Sequence, residues 1–113
     1  MNIAVLQGAL SSDPVVRTLS SGSVLVALEL TTGVGSSKVS VPVAWFDPPS
    51  EVTWAAGDEV VVVGTVRRRF FRSGGLTQSR TEVVADEVLP AGRKRQVRSA
   101  LTRAAAACNP DAT

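Results

Sequence analysis

Apolar residues alternate with polar or small ones along most of the chain, with a period of two. Such alternation marks half-buried strands, because successive side chains on a strand point to opposite faces. Ile3 and Val5, with Ala4 and Leu6 on the other face, open a first strand that runs to about Leu10. Ser11-Ser12-Asp13-Pro14 has turn chemistry, since Asp bonds the following backbone and Pro presets φ. The chain continues extended from Val15 to Leu19 and turns at Ser20-Ser21-Gly22-Ser23. In a second strand, Val24, Val26, Leu28 and Leu30 alternate with Leu25, Ala27, Glu29 and Thr31. Gly33-Val34-Gly35-Ser36-Ser37 reads as a flexible loop. In the third strand Val39, Val41, Val43 and Trp45 share one face, while Ser40, Pro42, Ala44 and Phe46 share the other. Pro42 has no N–H to donate, so this strand is an edge there or is bulged.

Asp47-Pro48-Pro49-Ser50 stops the strand, and Ser50 is placed to cap a short helix over Glu51 to Ala56, closed by Gly57. Asp58 to Phe71 is a long fourth strand, Ser73-Gly74-Gly75 turns it, and Leu76 to Leu89 returns as the fifth. Three strands, a short helix and two strands in about 90 residues predict an all-β domain over residues 1–90, a five-stranded OB-fold barrel. A β-sandwich is the alternative, although it leaves the single helix unexplained. Residues 91–113 differ in kind. Val97, Ala100, Leu101, Ala104, Ala105 and Cys108 recur at three- and four-residue spacing, which predicts an amphipathic helix over Arg93 to Cys108 in a basic tail. Its stripe is mostly alanine, so the helix needs a surface to dock on.

The net charge of +2 over 113 residues hides an asymmetry. The first 90 residues hold seven basic and nine acidic side chains, whereas Arg93, Lys94, Arg95, Arg98 and Arg103 crowd the tail. Within the acidic body, Arg67, Arg68, Arg69 and Arg72 fall in one stretch. Clustered arginine on a near-neutral domain points to an anionic partner at one face. Catalytic chemistry finds no residues. The chain has no histidine and one cysteine, Cys108, which reads as a packing residue. The pairs Asp58-Glu59 and Asp86-Glu87 point to opposite faces of their strands and cannot converge on one atom. Gly33-Val34-Gly35-Ser36-Ser37 lacks the lysine and the helix of a phosphate-binding loop. The expectation is a protein without enzymatic activity, metal or cofactor. No apolar run approaches the roughly 18 residues of a membrane helix, and the first residues carry no basic leader or cleavage site, so a cytoplasmic protein is expected.

What remains is the Arg/Phe stretch of the fourth strand. Val61, Val63, Thr65, Arg67, Arg69 and Phe71 share one face, and Val60, Val62, Gly64, Val66, Arg68 and Phe70 share the other. One face passes from valines to two arginines and a phenylalanine. Cations that follow phosphates, next to a ring that stacks on a base, are what a groove for single-stranded nucleic acid requires.

The same residues carry a resemblance. From Asn2 to about Pro90 the chain resembles the OB domain of bacterial single-stranded DNA-binding protein. Asn2-Ile3-Ala4-Val5-Leu6-Gln7-Gly8-Ala9-Leu10 is similar to the family's opening strand. Asp13-Pro14-Val15-Val16-Arg17 followed by Ser21-Gly22 is similar to its Asp-Pro-Glu-Val-Arg…Gly segment. Val43-Ala44-Trp45-Phe46, Gly57-Asp58-Glu59-Val60 with Gly64, and Ser79 to Val88 resemble its third, fourth and last strands. The resemblance implies sequence-tolerant binding of single-stranded DNA in replication, repair or recombination, and a homo-oligomer, tetramer or dimer. It puts stacking aromatics at Phe71 and Trp45 and groove cations at Arg17, Arg67 and Arg69, with Arg72 and Arg80 beside them. Two roles are open to the tail: it lies back on acidic barrel residues, or its cations, Arg93 and Arg95 among them, extend the groove, which is the role expected. RNA stays open as a ligand, since stacking does not distinguish the sugar.

The departures are specific. The loop from Gly33 to Lys38 is shorter than the family's basic hairpin, and Val39 stands where a tryptophan is expected. The basic tail, ending Asn109-Pro110-Asp111-Ala112-Thr113, replaces the family's acidic tip. These departures, with Trp54 on the expected short helix, support an alternative: an OB-fold protein-interaction module with weak or no nucleic-acid binding. No membrane and no small-molecule substrate is expected on either reading.

Overall fold

The computed structural model describes residues 1–108, so the last residues of the tail, 109–113, lie outside the described residues. The strands are β1 (Ala4–Leu10), β2 (Val15–Thr18), β3 (Val24–Val34), β4 (Ser37–Phe46), β5 (Glu59–Ser73) and β6 (Leu76–Pro90), followed by helix α1 (Lys94–Ala107). Five of the strands close on themselves. β1 pairs with β5, β5 with β6, β6 in parallel with β4, β4 with β3, and β3 returns to β1 at Thr31–Ala9 and Leu30–Leu10. That closure excludes the sandwich. β2 adds a sixth strand outside the ring, on the edge of β3.

The period-two residues fill the barrel. Leu10, Val26, Leu28, Leu30, Val43, Trp45, Val60, Val62, Val83, Ala85 and Val88 form one buried cluster. Gly8 permits the closure: a Cβ there would lie 2.1 Å from the carbonyl oxygen of Thr31, so any side chain would push β1 off β3.

Two expectations are corrected. No helix forms over Glu51 to Ala56, and the connection from Asp47 to Asp58 is irregular, with bends at its start and a turn at Ala56-Gly57. Six residues make fewer than two helical turns, too few to offset a costly nucleus, and Val52 and Thr53 are β-branched. The irregular path instead lays Val52 and Trp54 on the barrel core, with Trp54 stacked on Trp45 at 5.8 Å between ring centroids. Side chains hold the backbone that a helix would have satisfied. Asp13 Oδ1 accepts from the Ala56 N–H at 2.8 Å, and Asp58 Oδ2 from that of Ala55 at 2.9 Å. The second correction concerns Gly33 to Ser37. It is a tight hairpin rather than a loop, with Val34 paired to Ser37 and the turn made at Gly35-Ser36.

β6 contains a bulge that no alternation in the sequence announced. Val63 pairs with Glu87, but Gly64 pairs with Ala85, so Asp86 is an extra residue. Val88 faces the core below the bulge, and Ala85 and Val83 face it above. Opposite the bulge, a Cβ on Gly64 would lie 2.1 Å from the carbonyl oxygen of Val84.

The tail folds as expected over its described part. α1 runs from Lys94 to Ala107 and docks outside β5 and β6, where Ala100 and Ala104 are buried with Val63 against Ile3 and Leu89. Arg103 Nη2 donates to Glu87 on β6. No helix among the described residues is long and apolar enough to cross a membrane.

Candidate nucleic-acid interface

The site begins where β4 and β6 part. They pair only at Val43–Val83 and Ala44–Val84. Toward their N-termini, the hairpins β3–β4 and β5–β6 continue as two separate ribbons, to the tips at Gly35-Ser36 and Gly74-Gly75. Pro42, the first residue past that contact, faces the gap without an N–H to offer, which fits the expected edge position. Between the ribbons lies a cleft of about 250 Å3 on the outer face of the sheet. Arg17, Glu29, Pro42, Arg69, Arg80 and Glu82 are among its lining residues.

Strand pairing explains why these residues meet. Arg67 is opposite Glu82, Arg69 opposite Arg80, and Phe71 opposite Gln78, so all six project from one face of the β5–β6 ribbon. Arg17 on β2 is paired with Leu25 of β3, whose outer face also carries Ala27 and Glu29. Ala44 and Phe46 continue that face on β4. The guanidinium of Arg67 lies 5.5 Å from the centre of the Phe46 ring, and that of Arg69 lies 5.4 Å from the centre of Phe71. These are cation–π distances, and they pin two flexible side chains over two flat ones.

Two carboxylates share the face. Glu82 is 6% exposed, and its Oε1 accepts from Arg69 Nε at 2.9 Å and from Arg67 Nη2 at 3.5 Å. Arg80 Nη2 donates to Glu29 Oε1 at 2.7 Å, and Ser40 Oγ donates to Oε2 of the same carboxylate at 3.1 Å. With Asp13, which also lines the cleft, four guanidiniums meet three carboxylates, so the site is only weakly basic. Arg67 Nε is buried without an acceptor. A guanidinium has five N–H groups, so the paired arginines keep donors for a further oxygen.

Arg17, Arg67, Arg69, Phe71 and Arg80 of the expected set therefore share one face. The others do not. Trp45 is 8% exposed and belongs to the barrel core, so it offers no face to a base. Arg72 pairs with Thr77 on the opposite face of the ribbon, beside the exposed Phe70, and its Nη2 reaches the Gly75 carbonyl at 3.5 Å. Arg93 lines a second cavity with Trp54, Asp86 and Glu87, and Arg95 lies exposed on α1. Arg93 thus lies in the wall beside the bulge, where Arg103 also pairs with Glu87. Ala100 and Ala104 dock the helix on the barrel, and neither Arg93 nor Arg95 lines the cleft between the hairpins.

Phe46, Glu29 and Glu82 were missed. The alternation of the third strand had already put Phe46 on the outer face with Pro42 and Ala44, and the family position drew attention to Trp45 instead. Glu82 had no such signal, because its orientation depends on the bulge. No family model matches the chain, and comparison with curated proteins finds no match either.

Proposed function

We propose that the chain is an OB-fold protein that binds single-stranded DNA in the cleft between its two hairpins and catalyses no reaction. One observation carries the reading: Arg17, Arg67, Arg69 and Arg80 share an open outer face with the rings of Phe46 and Phe71. Guanidiniums gathered on one face suit phosphates, and rings beside them suit bases. The five-strand closure with parallel β4 and β6 supports the OB assignment. A homo-oligomer, dimer or tetramer, is part of the proposal. In its support, β1 pairs with β5 along Ala4 to Ala9 and with β3 only at Ala9 and Leu10, leaving most of its second edge free among the described residues. DNA replication, repair or recombination is the setting in which such binding operates.

A titration of a labelled mixed-sequence oligonucleotide across a salt series tests the reading. Binding should weaken steeply as salt rises, because arginine–phosphate contacts release counterions. The second reading, a protein-interaction module, draws its support from the carboxylates that already occupy Arg67, Arg69 and Arg80. Absence of binding at low salt, with the protein folded, would decide for it.

A further inference from the structure

We propose that single-stranded DNA leaving the cleft rounds the edge of β6 and lies on the opposite face of the β5–β6 hairpin, where Arg68, Phe70 and Arg72 form a second binding surface. The inference rests on the single-stranded DNA reading above and adds a second surface to it.

The surface follows from the alternation of β5. Val60 and Val62 face the barrel core, and the same face continues through Val66, Arg68, Phe70 and Arg72. Past the barrel there is no core for it to cover, so it stands in water: Val66 is 46% exposed and Phe70 67%. Its cross-strand neighbours are hydroxyls, Thr81 opposite Arg68, Ser79 opposite Phe70 and Thr77 opposite Arg72. The hairpin thus carries arginine beside phenylalanine on both of its faces.

The two faces differ in charge. In the cleft, Arg67, Arg69 and Arg80 are each paired with a carboxylate. Among the described residues neither Arg68 nor Arg72 has such a partner, and Arg72 donates only to a neutral carbonyl, that of Gly75. The opposite face therefore draws phosphates without a competing anion, and an exposed ring between two cations is a platform for a base. A second copy of the chain fits it less well, because a symmetric contact would bring four uncompensated guanidiniums together. The path is open as well. From Leu76 to Glu82, β6 is paired with β5 alone, so its other edge faces the gap between the hairpins as bare backbone. The ribbon is one backbone thick there, and a strand passing through the gap goes from one face to the other.

The test uses the full chain and a mixed-sequence oligonucleotide of about 16 nucleotides, the upper end of what one OB fold covers. Phe70→Trp, Phe70→Ala and the double variant Arg68→Ser/Arg72→Ser change only exposed side chains outside the core, so each should melt like the unaltered protein. The oligonucleotide should quench the indole introduced by Phe70→Trp beyond any change in the unaltered chain, whose own tryptophans pack in the barrel. Phe70→Ala should weaken binding about tenfold at an unchanged salt slope, within the range that one stacked base confers. The double arginine variant should lower the slope by about 1.4 units, the release expected from two phosphate contacts on a single strand. No added quenching, with all three variants binding like the unaltered chain, would overturn the second surface. The DNA reading of the cleft would then stand if Phe71→Ala still weakens binding. A Phe70→Ala chain that falls to the mass of one copy with DNA binding intact would also overturn it, and would assign the face to contacts between copies. An unaltered, folded chain that binds no oligonucleotide at low salt would overturn both readings.

Discussion

Trp45 and Phe46 are neighbours in sequence and lie on opposite sides of β4. Trp45 fills the barrel against Trp54, while Phe46 lies under the Arg67 guanidinium at the edge of the cleft. Their substitutions should separate stability from binding. Trp45→Ala should cost about 3–5 kcal/mol of stability, as large-to-small core changes do, with affinity per folded molecule unchanged. Phe46→Ala and Phe71→Ala should instead weaken oligonucleotide binding by about 1–3 kcal/mol each, the worth of one stacked base. Their salt dependence should match the unaltered chain, since no cation is lost. Thermal melts and anisotropy titrations on the same samples make the distinction. If Phe71→Ala chiefly unfolds the protein, that ring is core. At this scale alternation alone sorted the two aromatics of β4 correctly. The family position, which carries no information about which face a side chain takes here, falls on Trp45, a core residue.

Among the elements, those with a clear period were legible and those held by distant contacts were not. The strands and α1 follow from spacing, and the alanine stripe announced that the helix must dock. The segment from Ser50 to Ala56 carries a cap residue and is followed by a terminating glycine, and yet it forms no helix. Its backbone partners are Asp13 and Asp58, and Asp13 lies more than forty residues away in sequence. No local pattern reveals such a partner. The tail was legible as a helix but not as to its site, because alanine buries well on many surfaces. Docked beside Glu87, it contributes to the wall of the barrel. Ending the chain after Ala91 would return Ile3, Val63 and Leu89 to water. The unfolding free energy should fall by about 2–4 kcal/mol, the order expected for one or two apolar side chains re-exposed. Calorimetry or denaturant melts would measure it. The salt slope of DNA binding should stay the same, and a slope lowered by several units would return the tail cations to the groove.

For the molecule as a whole, the barrel holds the apolar core and its two projecting hairpins carry the arginine cleft. Light scattering across micromolar concentrations should give a multiple of the 11.8 kDa chain mass if the free edge of β1 is where copies join. A mass of one chain throughout would remove the homo-oligomer from the proposal. The bulge at Asp86 reaches further than its one residue. Below it, Leu89 and Glu87 face outward under α1, and above it Val84, Glu82 and Arg80 do. β6 is in effect two strands on a single backbone, half a pleat out of phase, one keyed to the helix and the other to the cleft. An unbroken alternation counted down from Val88 would turn Asp86, Val84 and Glu82 into the barrel, and the extra residue is what resets the phase. Removal of Asp86 would leave Glu87 next to Ala85 in a regular ladder, with Val88, Ala85 and Val83 still inward and Glu82 still outward. The chain lacking Asp86 should therefore melt close to the unaltered one, as should Asp86→Ala, and a melting temperature far below it would show that the bend of the bulge itself is needed. By absorbing one residue without a partner, the bulge lets a single strand serve both the helix and the cleft.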